Sequence, residues 1–346
     1  MIYSLKQSET PAPNWQREMA EAFTQLDDLF TFLNLGHDLL PASIKAAGKF
    51  PFRVPRSFAS RMEKSNIDDP LLRQVLPSLR EFDTHSDFIE DPVGDLPARA
   101  GASVLQKYRG RALLITTGAC AVNCRYCFRR EFPYSDNQLG KSHEAQALEY
   151  IKRDPTISEI ILSGGDPLVL GDRRLAALAE ELAAIPHLKR LRLHTRLPIV
   201  LPNRITRELV EWLSRTRLQT IVVVHANHPN ELNDEVADSL APLKQAGVAL
   251  LNQSVLLRGV NDTAEALTVL SERLFAAGIM PYYLHLLDKT AGTTHFDVSR
   301  EKARELHWEL RRQLPGYLVP RLACEQPGAP FKLTVEEMPM NVEGNL

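Results

Sequence analysis

Three cysteines lie close together in the chain, at a spacing that could hold an inorganic cofactor. Cys120, Cys124 and Cys127 are separated by four and then three positions, whereas the fourth cysteine, Cys324, lies far along the chain. Thiolates are the ligands that select iron–sulfur clusters and zinc. A structural zinc site normally has four protein ligands, whereas a four-iron cubane held by three thiolates leaves one iron open. The spacing therefore favours a cluster with an open iron, and a zinc loop is the alternative.

The composition limits the classes of protein to which the chain can belong. The chain has 346 residues, 44% of them hydrophobic, and a net charge of −2. This balance gives no basic footprint for nucleic acid or for an anionic membrane. The sequence has no apolar run of about 18 residues and no apolar signal core, so we expect neither a membrane span nor export. Four cysteines, three of them in one motif, do not form a disulfide framework, so a reducing cytoplasm is predicted.

The chain divides into three predicted segments. Residues 1–105 are expected to form an α-helical N-terminal extension, in which residues 15–35 have the spacing of one amphipathic helix. Residues 106–315 alternate between apolar runs and helical patterns, and residues 316–346 form a C-terminal segment. The predicted strands are Ala112–Thr117, Glu159–Ser163, Arg190–Thr195, Thr220–His225, Val248–Leu256 and Pro281–Leu287. The predicted helices cover 142–153, 171–185, 205–215, 234–246, 262–277 and 299–313.

Six strand–helix units in succession predict a parallel sheet with right-handed crossovers. A complete (β/α)8 barrel needs about 250 residues, and the middle segment supplies only roughly 200. The predicted fold class is therefore α/β, with an incomplete six-unit (β/α)6 TIM-like barrel. A doubly wound sheet is the alternative, but no G-x-G-x-x-G follows the first strand.

Polar residues recur where the predicted strands end. In a parallel barrel the carboxyl ends of the strands share one rim, and active sites lie there. The cysteine loop follows the first strand, and the later strands end at or near Ser163, Gly164, Gly165 and Asp166, then Arg196, His225, Gln253 and Asp288. Scattered core polarity would not place a polar group at the same end of every strand. We therefore predict one site at this rim.

Eight stretches of the sequence carry a resemblance to a known family. They are DPLLRQVLP (69–77), KYRGRALL (107–114), CAVNCRYCFRR (120–130), LSGGDPL (162–168), RLPIVLPNRIT (196–206), NHPNEL (227–232), NQSVLLRGVND (252–262) and PYYLHLLDKTAGTTHF (281–296). The chain resembles the lysine 2,3-aminomutase family of radical S-adenosylmethionine (radical SAM) enzymes, and within it the short bacterial EpmB type. The resemblance implies a [4Fe-4S] cluster on the three cysteines and S-adenosylmethionine on the open iron, where it yields a 5′-deoxyadenosyl radical.

The resemblance also implies where the cofactors bind. Ser163, Gly164, Gly165 and Asp166 are expected to hold the amino end of S-adenosylmethionine, since glycine permits close backbone approach to a ligand. Arg196, His225 and Gln253 are further cofactor-binding candidates. The alternatives are a plain strand-to-helix turn for the glycines and an ordinary core histidine for His225.

Pyridoxal 5′-phosphate is the third implied cofactor. The family holds it through a lysine near the C-terminus, and Lys332 takes that place here, because a desolvated lysine readily forms a Schiff base. The glycine run that precedes this lysine in clostridial members has decayed to residues 327–331, PGAPF. Tyr108 and Arg111, with Lys107, match a stretch near pyridoxal phosphate.

The substrate residues follow from the same resemblance. Arg129 falls where the family binds the substrate carboxylate, which suits the planar fork of a guanidinium. Asp288 and Glu325 fall where the family binds the ε-ammonium of lysine. The implied reaction is a radical 1,2-amino shift that converts L-α-lysine to β-lysine, and the short bacterial type implies the (R) form.

The resemblance implies partners as well, and two rival functions stay open. The implied partners are lysine, an electron donor such as flavodoxin or ferredoxin, and, functionally, translation elongation factor P with its lysyl ligase; a homo-oligomer is possible. One rival is a glutamate 2,3-aminomutase, whose site needs a cation or amide where this chain has Asp288 and Glu325. The other rival is a non-catalytic metal-binding protein.

Overall fold

A single sheet organises the part of the chain that the structure describes, and each strand pairs with the next one in sequence. The computed structural model describes residues 14–101 and 103–334. The strands are β1 (Arg99–Gly101), β2 (Val104–Leu105), β3 (Arg111–Thr117), β4 (Glu159–Gly164), β5 (Arg190–Thr195), β6 (Gln219–Val224), β7 (Ala249–Val255), β8 (Met280–His285), β9 (Arg321–Cys324) and β10 (Leu333–Thr334).

Strands β3 to β9 are parallel, and β1, β2 and β10 add antiparallel pairs at the two ends. The consecutive order excludes a doubly wound sheet, in which the strand order reverses. It is the order of a TIM-type barrel, and no pairing between described residues joins β10 back to β1, so the barrel is open. The predicted α/β partial barrel is confirmed.

All six predicted strands are present, with ends within two residues of the prediction. The parallel strand β9 was not predicted, because its four residues are too short for a periodic pattern. The strands β1, β2, β9 and β10 join the barrel sheet although they lie in the predicted outer segments. The division into three segments stays a prediction.

Short and long helices cover the strands. They are α1 (Trp15–Ala20), α2 (Leu26–Leu33), α3 (Leu40–Ala47), α4 (Arg56–Ala59), α5 (Pro70–Arg73), α6 (Tyr134–Asn137), α7 (Lys141–Arg153), α8 (Asp172–Ala183), α9 (Leu197–Val200), α10 (Arg207–Arg215), α11 (Asp234–Gln245), α12 (Ala264–Ala276) and α13 (Arg300–Gln313). Helix α10 shows why they form: the Thr206 hydroxyl caps it by accepting from Leu209 N–H, and Leu209 and Leu213 bury its apolar side. No helix in the described ranges could cross a membrane.

The predicted single helix over residues 15–35 is wrong, because two helices lie there with a break between them. Phe23 lies in the break and pairs with Val54, with N···O distances of 2.8 and 2.9 Å. Its backbone groups therefore bond to another segment instead of extending a helix. The N-terminal region also packs on the barrel, where the Ser57 hydroxyl donates to the Val200 carbonyl at 2.6 Å.

Candidate active site

One cavity lies at the carboxyl ends of the parallel strands. Every site residue proposed from the sequence lines it: Tyr108, Arg111, Cys120, Cys124, Cys127, Arg129, Ser163, Gly164, Gly165, Asp166, Arg196, His225, Gln253, Asp288, Glu325 and Lys332. The structure thus brings these residues together at the predicted rim. Their individual roles stay predictions.

The cysteine loop follows β3, and its donors suit an iron–sulfur cluster. Burial raises the pKa of Cys120 and raises that of Cys127 to about 11, so binding iron would release protons from these thiols. No three His, Cys, Asp or Glu side chains within residues 14–101 and 103–334 could share one metal ion. A cubane gives each thiolate its own iron and needs no such convergence. The three cysteines therefore fit a cluster better than a single zinc ion.

Gly164 and Gly165 hold the end of β4 against the cysteine loop. Gly165 N–H donates to the Thr117 carbonyl at 2.7 Å, and Asp166 N–H donates to the Ala119 carbonyl at 2.9 Å. Gly164 has a φ of +111°, and an added Cβ there would lie 2.7 Å from the Thr117 oxygen. A Cβ on Gly165 would collide with the Ala119 carbonyl. Both glycines are therefore required by the approach of the loop itself, whatever ligand also binds there.

The Asp166 carboxylate is engaged by protein donors. It accepts from the Thr195 hydroxyl at 2.7 Å and from the backbone N–H groups of Arg196 and Leu197 at 2.7 and 3.0 Å. Burial raises the pKa of Asp166, although these hydrogen bonds act to lower it. Asp166 therefore fixes the end of β5 relative to β4, and its contact with a cofactor stays a prediction.

Arg196 links the cysteine loop to the rest of the molecule. Its guanidinium donates to Cys124 Sγ at 2.7 Å, to Gln74 Oε1 at 2.7 Å and to Glu231 Oε2 at 3.0 Å. The guanidinium thus ties Cys124 to the N-terminal region through Gln74 and to the segment after β6 through Glu231. Gln74 and Glu231 were not predicted as site residues, although both lie in stretches that carried the family resemblance.

Three histidines line the wall of the cavity: His194, His225 and His285. Burial lowers the pKa of all three, that of His225 to about 3, so they are neutral at neutral pH. His225 Nε2 lies 2.9 Å from Gln253 Nε2, which joins two predicted residues. His194 and His285 were missed. The alternation of side chains along a strand could have indicated both positions. Arg192 and His194 share one face of β5, and Tyr283 and His285 share one face of β8.

Five charged side chains form a row along one side of the cavity, and the row alternates in sign. Arg129 Nε lies 2.6 Å from Asp95 Oδ2, and Asp95 Oδ1 lies 2.6 Å from Lys107 Nζ. Lys107 Nζ lies 2.7 Å from Glu325 Oε1, and Glu325 Oε2 lies 2.5 Å from Lys332 Nζ. No side chain in the row is more than 25% exposed, so these pairs are poorly screened by solvent. Asp95 was missed, because it lies in the predicted N-terminal extension, to which no site residue was assigned.

The two predicted substrate acids differ in protonation. Burial acts to raise the pKa of Glu325, but the charges of Lys332 and Lys107 lower it to about 2. Burial and the charge of Glu325 raise the pKa of Asp288 to about 7. Glu325 is therefore ionised at neutral pH, whereas Asp288 titrates near neutrality and a cation beside it would favour its ionised form.

Tyr108 and Arg111 lie on the same cavity, next to Lys107 in the chain. The Arg111 guanidinium carbon lies 4.6 Å from the centre of the Tyr108 ring, within the range of a cation–π contact. The stacked pair offers a cation and an aromatic face to a planar anionic ligand. Pyridoxal phosphate has that character, so the two residues fit it.

A partial parallel barrel with a three-cysteine loop after its first barrel strand defines the class of the protein. Residues 114–268 match the Radical SAM superfamily. The fold and the cysteine loop therefore belong to a radical SAM enzyme, and this class uses a [4Fe-4S] cluster and S-adenosylmethionine.

Sequence similarity to individual proteins identifies the family within this class. The chain is 50% identical to an L-lysine 2,3-aminomutase of Escherichia coli, over 93% of this chain and 94% of the relative. It is 48% identical to one of Haemophilus influenzae (94% and 96%) and 31% identical to one of Clostridium subterminale (93% and 77%). The chain belongs to the L-lysine 2,3-aminomutase family, whose members are pyridoxal phosphate-dependent isomerases. The family resemblance found in the motifs is confirmed.

Proposed function

We propose that the protein converts L-α-lysine to β-lysine by a 1,2-amino shift. The observation that carries the proposal is the position of Glu325, whose carboxylate lies between Lys107 and Lys332 at 2.7 and 2.5 Å. This cavity already accommodates an ammonium group against a partly buried acid, and Asp288 supplies a second acid in the same cavity. The relatives are named for the same reaction.

The cofactors would supply the radical chemistry, and residues of the cavity would hold them. When bound, the cluster and S-adenosylmethionine supply the radical that abstracts hydrogen from the substrate, and pyridoxal phosphate carries the migrating amino group. Cys120, Cys124 and Cys127 would hold the cluster, and Lys332 would hold pyridoxal phosphate, with Arg111 near its phosphate.

The residues of the cavity orient lysine by its two ends. Arg129 is proposed to bind the α-carboxylate, because its guanidinium lies in the cavity and Asp95 fixes it through Nε. Glu325 and Asp288 are proposed to bind the ε-ammonium, which must leave water and therefore needs a carboxylate partner. Two acids at the distal end would repel a substrate with a distal carboxylate. The charges therefore favour lysine over glutamate.

Finer features of the function rest on the resemblance to the short bacterial type. We propose that the product is the (R) form and serves the modification of translation elongation factor P by its lysyl ligase. We also propose a flavodoxin or ferredoxin as electron donor, and a reducing cytoplasm, since disulfide-free thiols and an oxygen-sensitive cluster require one. A homo-oligomer is compatible with these proposals.

The test is anaerobic reconstitution with iron, sulfide, pyridoxal phosphate and S-adenosylmethionine, followed by mass and chiral analysis of the lysine products. The expected product is (R)-β-lysine, formed without net loss of S-adenosylmethionine. Recovery of unchanged lysine from a protein with full iron and sulfide content would contradict the proposal. Efficient conversion of glutamate would favour the rival aminomutase.

A further inference from the structure

We infer that the exposed face formed by Lys45, Lys49, Leu79, Arg80 and Phe82, here named the Phe82 face, docks an acidic protein that donates one electron to the cluster. The inference rests on the proposed function, because it presumes that the cysteine loop holds a redox cluster. It adds the place at which the donor binds and the residues that recognise it.

The electron must come from another molecule. The 346 residues contain four cysteines, and three of them belong to the cluster motif. The remaining thiol, Cys324, cannot hold a second iron–sulfur cluster, which needs several thiolates. The step itself transfers one electron: the donor is oxidised by one electron, the cluster is reduced by one electron, and no bond forms or breaks. A donor must therefore approach the cysteine loop closely.

The cavity side of the loop is reserved for cofactors and substrate, so a donor protein must approach from the other side. On that side the loop contacts backbone carbonyls of the N-terminal region. Asn123 N–H donates to the Arg53 carbonyl at 3.0 Å, and the Arg125 guanidinium donates to the Phe50 and Pro51 carbonyls at 3.0 and 2.9 Å. Residues 50–53 therefore contact the cysteine loop on this side, and Phe50, Pro51 and Arg53 are partly or fully exposed to solvent.

The Phe82 face adjoins this segment in the chain, because Lys49 directly precedes Phe50. Arg125, which follows Cys124 directly, pairs with Glu81 at 2.5 Å, and neither side chain is exposed. Glu81 in turn precedes Phe82, the last residue of the 3-10 helix Leu79–Phe82. A chain of contacts therefore runs from the cysteine loop through Arg125 and Glu81 to the surface.

The composition of the face is that of a docking site. Phe82 is 41% exposed and Leu79 is 45% exposed, and residues three apart in a 3-10 helix point in the same direction. Lys45 Nζ and Lys49 Nζ lie 5.5 and 5.6 Å from the centre of the Phe82 ring. An apolar centre with a basic rim fits a partner with an apolar centre and an acidic rim.

The charges identify the partner as acidic. Lys45, Lys49 and Arg80 are exposed; Asp83, next to Phe82, is an exposed acid, whereas the Glu81 carboxylate is buried against Arg125. This local excess of positive charge contrasts with the net charge of −2 of the whole chain. A basic patch on an otherwise slightly acidic protein steers an acidic carrier toward one place on the surface. Because the Phe82 face connects to the cysteine loop through Glu81 and Arg125, steering would also bring the carrier toward the cluster.

The experiment compares two double charge reversals on the reconstituted holoenzyme. K45E/K49E alters the Phe82 face. K152E/K189E is the matched control, because Lys152 and Lys189 are exposed and lie just before β4 and β5, at the amino ends of the strands and away from the cysteine loop. The probe is a purified acidic flavodoxin. The readouts are its Kd by titration, the rate at which the pre-reduced flavodoxin bleaches the cluster, and turnover with dithionite.

We expect K45E/K49E to weaken flavodoxin binding and slow cluster reduction by roughly tenfold or more, with the largest effect at low salt. Turnover with dithionite should equal that of the wild type, because a small reductant needs no docking face. The control variant should behave as the wild type in every readout. F82S, which keeps every charge, should weaken binding at high salt as well.

Three results would overturn the inference: an unchanged Kd in K45E/K49E and F82S, an equal loss in the control variant, or a change of oligomeric state in place of donor affinity. The last result would make the face a contact between copies of the chain. If dithionite gives no β-lysine even with the wild type, the proposed function fails. The Kd and the bleaching rate would still test the docking face.

Discussion

Lys332 Nζ lies 2.5 Å from Glu325 Oε2, so the proposed cofactor lysine and a proposed substrate acid form one partly buried ion pair. When Lys332 binds pyridoxal phosphate it no longer serves Glu325 as an ammonium, so Lys107 stays paired with Glu325 Oε1 at 2.7 Å while Oε2 loses its partner. The ε-ammonium of lysine can take that place. One carboxylate can therefore serve the lysine of the protein and the lysine of the substrate in turn, which couples cofactor binding to substrate selection.

Borohydride reduction should attach pyridoxal phosphate covalently to Lys332, and peptide mapping of the reduced protein locates the label. Lys107 is the internal rival, because it lies in the same cavity and also pairs with Glu325, at 2.7 Å. K332R should lose the label and K107R should keep it. A label on Lys107 would contradict the assignment.

Asp288→Asn should raise the KM for lysine or abolish turnover while iron content and pyridoxal phosphate labelling stay normal. Loss of one partner of a buried ion pair costs about 3–5 kcal/mol, or roughly two to four decades in kcat/KM. Glu325→Gln should act in the same direction. Asp238→Asn is the matched control, since Asp238 is an exposed acid on α11. Near-normal lysine kinetics in Asp288→Asn would show that this acid does not select the substrate.

The pH profile of kcat/KM should reflect Asp288. Burial and Glu325 raise the pKa of Asp288 to about 7 in the ligand-free protein. The acid is therefore protonated below that pH and cannot pair with the ε-ammonium, so kcat/KM for lysine should rise with pH through about 7 and then level off. Asp288→Asn should lack this acidic limb. A profile in the wild type that is flat from about pH 6 to 8 would contradict the assignment.

Replacement of any one of Cys120, Cys124 and Cys127 by Ala should abolish the brown absorbance of the cluster and all turnover. Cys324→Ala should keep both, because Cys324 lies on β9, outside the cysteine loop. The measurement is iron and sulfide content together with the visible spectrum. Loss of the cluster in Cys324→Ala would indicate four protein ligands, and the open iron would then be excluded.

Gly165→Ala should lower cluster incorporation severely, because the added methyl group would collide with the Ala119 carbonyl in the cysteine loop. Gly316→Ala is the matched control, since nothing lies within 4 Å of a Cβ built there. Iron content per chain after identical reconstitution distinguishes the two variants. If Gly165→Ala takes up iron as the wild type does, the loop does not depend on this close approach.

The sequence predicted the barrel well because its strands and helices carry clear periodicity. The spacing of Cys120, Cys124 and Cys127 likewise predicted a cluster site without help from the fold, and the three thiols do line one cavity. The break at Phe23 was not predictable, because it depends on pairing with Val54, more than thirty residues away. Local patterns do not report such contacts.

The same limit applies within the site. Asp95 and Lys107 join the charge row only because the fold brings residues 95, 107, 129, 325 and 332 together. Each of these residues, taken alone, is of a charged type that is common in surface loops. The pKa of Asp288 is also a property of its burial and of its neighbour Glu325, which no spacing along the chain could give.

The consecutive order of the strands has a consequence for the kinetics of folding. Each strand pairs with its neighbour in the chain, so the sheet can grow in one direction, one strand–helix unit at a time. The N-terminal region is the exception: Gln74 bonds to Glu231 across 157 positions, and Ser57 bonds to Val200 across 143. We expect these contacts to form last, which pulse-labelled hydrogen exchange would detect as late protection. The side of the cysteine loop that the N-terminal region later covers would then stay open to an iron–sulfur donor until the barrel is complete.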